Sequence, residues 1–137
     1  MSSTETRSLF ELLDAVVDAL RPLQDEIPGL QLTGDLNGSP NPPSVDVYPS
    51  SPFMQPGSFD VAGDQIFLTV RARVNTADQK AGQRQLLRML DPTNDASVAA
   101  LLYESPVTVL EVSEYREYPS DSGKSQLGAE WRVTAFL

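Results

Sequence analysis

Between Leu9 and Leu23 the apolar residues recur at steps of three and four: Leu9, Leu12, Leu13, Val16, Leu20 and Leu23. That spacing places them on one stripe of a helix and turns Glu11, Asp14, Asp18 and Arg21 away from it. Ser2, Ser3 or Thr4 is positioned to cap its start, and Pro28-Gly29 ends the element and its tail. From Gln65 to Asn75 the period changes to two. Ile66, Leu68, Val70, Ala72 and Val74 share one face of a predicted strand, and Phe67, Thr69, Arg71 and Arg73 share the other. Thr76 followed by Gln79 is a capping-box pattern, opening a second helix that runs to about Leu90, where Asp91-Pro92 stops it. Asp95 is placed to cap a short third helix through Val98, Leu101 and Leu102. Val107–Tyr118 and Gly128–Leu137 then alternate as two more strands, predicted to form a hairpin around Pro119–Leu127.

The stretch between the first helix and Gln65 has no such regularity. Seven of the eleven prolines fall between Pro28 and Pro56. Only Ser44–Tyr48 alternates as a strand, and the prolines beside it predict an edge position. Residues 49–63 read as an extended loop, long enough to suggest a functional role. The expected fold is therefore α+β: a small, mostly antiparallel sheet with helices packed on one face and a long proline-rich loop. One domain of 137 residues accommodates it.

Composition narrows the chemistry. The chain has no cysteine, which excludes a thiolate nucleophile, a disulfide framework and a cysteine-ligated zinc. It has no histidine either, so the commonest general base and metal ligand is missing. Ser122-Gly-Lys-Ser125 resembles the end of a phosphate-binding loop, but Tyr118 stands where that motif needs its first glycine. Carboxylate pairs such as Asp25-Glu26 or Asp91 with Asp95 lack the alternation of a calcium loop and read as caps and solubilising charge. No G-x-S-x-G elbow is present. An enzyme is not expected, and no cofactor or metal is implied.

Charge changes the picture more. Nineteen acidic residues against ten basic ones give a net −9, which repels phosphate backbones and anionic membranes and so disfavours tight binding to nucleic acid. Residues 1–70 carry a net −8 and residues 71–137 only −1. No apolar run approaches the roughly 20 residues of a membrane span, and the N-terminus has no basic-then-apolar signal pattern, so the chain is expected in the cytoplasm when made. Lys80, Arg84 and Arg88 recur every four residues as a basic stripe on the second helix, which Arg71 and Arg73 are placed to extend. A solvated helix face explains such a stripe, and so does a subunit interface. Eight of the ten cations are arginine, whose planar multi-donor head suits interfaces. Phe53, Met54 and Phe59 stand in the proline-rich loop as core residues or exposed anchors for a contact.

The second half of the chain resembles the small tail terminator and tail completion proteins of long-tailed bacteriophages. The resemblance is carried by the strand Phe67-Leu-Thr-Val-Arg-Ala-Arg-Val74, then Asp78 and Gln83-x-x-Leu-Leu87. It continues through Leu90-Asp-Pro92, Ser97-Val-Ala-Ala100 and the closing strand Trp131-Arg-Val-Thr-Ala135. It spans roughly residues 65–137; the first helix fits it, and residues 30–64 carry little of it. It implies a virion protein without catalytic activity: an α+β protomer in a homo-hexameric ring that ends the tail tube and meets the head connector. The implied partners are the chain itself, the tail tube protein and the head-tail connector, with DNA passing through without specific binding and no membrane involved. In such a ring the acidic half is the candidate lining of the channel. The alternatives are another neck or tail-tube component or assembly module, and a small-molecule-binding protein.

Overall fold

The computed structural model describes residues 8–34, 43–55, 65–75, 79–113, 116–118 and 126–136. Its elements run α1 (Leu9–Leu20), α2 (Pro22–Glu26), β1 (Gln31–Thr33), β2 (Ser44–Gln55), β3 (Gln65–Asn75), α3 (Gln79–Leu90), α4 (Val98–Tyr103), β4 (Thr108–Val112), β5 (Arg116–Tyr118) and β6 (Gln126–Phe136). The strands form one sheet in the order β1-β2-β3-β6-β4, with β5 also paired to β6. Among the described strands β1 and β2 run parallel, and the other pairings are antiparallel. The α+β expectation holds, with α1, α3 and α4 all lying on one face of the sheet.

Strict alternation along β2, β3 and β6 produces that arrangement. Val45 and Val47, then Ile66, Leu68, Val70, Ala72 and Val74, then Leu127, Ala129, Trp131, Val133 and Ala135 turn toward the helices. Against them the helices set Leu12, Leu13, Val16 and Leu20 of α1, Leu86 and Met89 of α3, and Val98 and Leu102 of α4. The spine is β3 against β6, in unbroken register from Gln65 opposite Phe136 to Asn75 opposite Gln126. Trp131 sits there at 1% exposure, the largest of the fully buried side chains. Gly82 lets α3 approach closely: a Cβ at that position would lie 2.3 Å from the carbonyl oxygen of Asn75.

Several local expectations are corrected. Ser8, not a residue nearer the terminus, caps α1: its side-chain oxygen accepts from the Glu11 N–H at 3.2 Å. Ser97 rather than Asp95 caps α4, accepting from the Ala100 N–H at 3.2 Å. The apolar stripe ending at Leu23 belongs to two helices, because Pro22 starts α2 as its first residue. Gly29 then turns the chain at φ +79°, a conformation that favours glycine. The strand foreseen over 107–118 divides into β4 and β5, and β4 shifts register between Val109 and Glu111.

The stretch expected as a proline-rich loop is described only in part. β2 runs on to Gln55, where Pro49, Met54 and Gln55 pair with Leu68, Ile66 and Gln65 of β3 and the register shifts between Pro49 and Met54. Residues 56–63 of the expected loop, and the capping box at Thr76, lie outside the described residues. The edge expectation for Ser44–Tyr48 also fails in part. β1 pairs with Ser44, Val45 and Asp46, and the Pro43 carbonyl accepts from the Gln31 N–H. β1 ends at Thr33, opposite Asp46, so among the described residues Pro49 lies where β2 pairs with β3 alone.

Candidate interaction surfaces

The sheet face turned away from the helices is polar but not open. Asp46 is only 3% exposed, and one of its oxygens, Oδ2, accepts from Arg71 Nη2 at 2.7 Å and from Arg73 Nη2 at 3.3 Å. Register explains the cluster: Asp46 lies opposite Arg71, and Arg73 is two residues farther along the same face. Arg71 also stacks over the Tyr48 ring at 5.2 Å, and Arg132 covers the buried Phe67 ring at 4.7 Å. Hydroxyls complete the face. Ser50 and Thr69 share a 2.7 Å hydrogen bond, and the Thr134 hydroxyl donates to the Ile66 carbonyl at 2.9 Å. A groove of about 600 Å³ crosses this face, lined by Tyr48, Ser50, Thr69, Glu111, Glu130 and Arg132 among others.

The helix layer has a different electrostatic design. On α1, Glu11, Asp14 and Asp18 project into solvent, and Asp18 accepts from the Arg21 Nε–H at 2.8 Å. On α3, Lys80, Arg84 and Arg88 are all exposed, because Gly82, Leu86 and Met89 take the inward positions. Arg88 donates to Glu26 at 2.5 Å and ties α3 to α2.

These placements divide the predicted interface residues. Lys80, Arg84 and Arg88 do form one exposed stripe. Arg71 and Arg73 do not extend it. Residues 70, 72 and 74 face the helices, so 71 and 73 must face the opposite side, where Asp46 engages both. Met54 lies in β2 opposite Ile66, with 45% of its surface exposed. The side chains of Phe53 and Phe59 are outside the described residues, as is Ser122–Ser125.

One member of each suspected carboxylate pair has a local role. Asp91 accepts hydrogen bonds from both the hydroxyl and the N–H of Thr93, which hold its carboxyl below the usual carboxylate value. Glu26 is the partner of Arg88. Among the described residues, no group of three or more acidic, histidine or cysteine side chains is gathered for a metal, and no helix is long and apolar enough to cross a membrane.

Sequence reasoning passed over Asp46, Tyr48 and the Arg132–Phe67 pair. Their signal was the polar half of each alternating strand, with an acid on one strand and arginines on the next. It becomes informative only with the pairing register. No protein-family model matches the chain, and no curated protein matches it either.

Proposed function

We propose that the chain is a structural virion protein of a long-tailed bacteriophage. It forms a homo-hexameric ring that ends the tail tube, joins it to the head connector and leaves a channel for DNA. The observation that favours this reading is the convergence of the resembling segments. Phe67–Val74 and Trp131–Ala135 lie in the two central strands, and the Gln83–Leu87 helix packs across them. Three of the segments that prompted the resemblance thus meet at the centre of one packed unit.

Charge favours the same reading. A net −9 keeps duplex DNA from adhering to a ring it must pass through. The helix layer meanwhile presents outward charges of both signs on separate helices, suited to joining copies edge to edge.

The decisive experiment is assembly with and without the chain. Purified protein should sediment as a closed hexamer, and particles made without it should show unjoined heads and tail tubes of irregular length. Normal joined particles in its absence would overturn the proposal.

A further inference from the structure

Two helices of the protomer carry outer faces of the same plan and opposite sign. On α3, Lys80 and Arg84 are exposed one turn apart, and Leu87 follows on the same face with 56% of its surface in solvent. Leu87 borders a shallow cleft of about 110 Å³ that it shares with Gln83, Leu86 and Leu127. Within its twelve residues α3 has no acidic side chain. On α1 the corresponding plan is Phe10, 80% exposed, beside the exposed carboxylates of Glu11 and Asp14. Every charged side chain of α1 is acidic.

The protomer itself uses little of this complementarity. Arg88 reaches Glu26 from α3 to α2. Lys80, Arg84 and Asp14 have no ion-pair partner among the described residues. A single exposed apolar side chain is ordinary on a protein surface; what matches these two faces is that each anchor stands beside charges of one sign and that the two signs are opposite.

We infer that the occupant is a second copy of this chain: the Lys80–Arg84–Leu87 face of one protomer docks on the Phe10–Glu11–Asp14 face of the next. Phe10 enters the cleft beside Leu87, while Arg84 and Lys80 meet Asp14 and Glu11. The two patches are different surfaces, so the contact is heterologous, and each protomer gives one patch and receives the other. Repetition of such a contact closes a ring where the rotation allows. The inference rests on the ring reading above and identifies its subunit contact. It also places two carboxylates of the acidic half between subunits instead of along the channel.

Exposed ion pairs contribute little singly and are screened by salt, but each subunit of a ring makes the contact twice. Arg84→Glu should therefore weaken association about tenfold, and Asp14→Arg should do the same. Both changes in one chain restore opposite charges at every contact and should recover most of the loss in sedimentation assays. Because the chain has no cysteine, Asp14→Cys and Arg84→Cys are clean reporters. Mixed and oxidised, they should give a covalent dimer that neither gives alone. Four results would overturn the inference: single reversals that assemble like the parent, a folded double reversal without recovery, dimers from one cysteine variant alone, or no cross-link in the mixture. If the parent still sediments as a hexamer in any of these cases, the ring reading survives and its contact lies elsewhere. A parent that is monomeric at every concentration removes both.

Discussion

The two faces of the sheet are built from the same strands, yet they are held by different physics. Toward the helices, β3 presents Ile66, Leu68, Val70, Ala72 and Val74, each 2% exposed or less. Burial there is non-directional, and stability grows with the apolar area removed from water. On the other side the same strand presents Phe67, Thr69, Arg71 and Arg73, and the stabilising contacts are directional: a shared carboxylate, two ring stacks and hydroxyl hydrogen bonds. The apolar face tolerates no charge. The polar face accommodates charge where register supplies partners, as it does by setting Asp46 opposite Arg71 and within reach of Arg73. Alternation thus yields a core on one side and a specific, partner-dependent lattice on the other.

The contrast can be broken most severely at Val70, which is fully buried. Val70→Asp places an unpaired carboxylate in the core and should cost about 4–5 kcal/mol or more. That approaches the total of roughly 5–15 kcal/mol holding a typical domain, so the variant should be unfolded or barely folded by circular dichroism. A melting temperature near the parent's would mean that the helix-covered face is misassigned.

On the polar face the expected loss is smaller. Asp46→Ala leaves Arg71 and Arg73 without their shared acceptor. Removing one partner of a fully buried pair costs about 3–5 kcal/mol, but the Arg71 side chain is 27% exposed, so about 2–3 kcal/mol is expected in urea titration. Asp46→Ala should also remove most of the effect of Arg71→Ala in a double-mutant cycle. Additive losses would show that the three side chains do not act as one cluster.

The smallest effect lies outside both faces, at the exposed Asp91–Thr93 turn. Thr93→Val removes the hydroxyl that donates to Asp91 but keeps the backbone N–H. The Asp91 pKa should rise toward the ordinary carboxylate value without reaching it, as followed by NMR titration. A lowered folded-state pKa stabilises the native state above the unfolded value of 3.8, and the stabilisation is lost as pH falls through the folded value. Thr93→Val should shrink that acid-side dependence. An unchanged Asp91 titration would remove the hydroxyl as its cause.

Periodicity by itself determined much of this protein: α1, α3, the eleven-residue β3, the α+β class and the membership of the core. Those features depend on the local turn of the backbone, 3.6 residues in a helix and two in a strand, which the order of apolar side chains records directly. The capping residues Ser8 and Ser97, two to six residues from the predicted caps, show how weakly a single polar side chain is specified when other cap-forming residues lie near it. Lys80, Arg84 and Arg88 were legible as a stripe because helical spacing is local too. The separation of Arg71 and Arg73 from that stripe was already written in the alternation of β3, which sets them on the face opposite the apolar residues that meet the helices. Tertiary structure alone decided the rest. It carried β2 on to Gln55, because β3 pairs with Pro49 and again with Met54 and Gln55, and the register shift between Pro49 and Met54 takes up Pro52. It placed Asp46 between those arginines across a gap of 25 and 27 residues. Contacts so distant along the chain depend on which strands pair and in what register, and no local pattern in either strand carries that information.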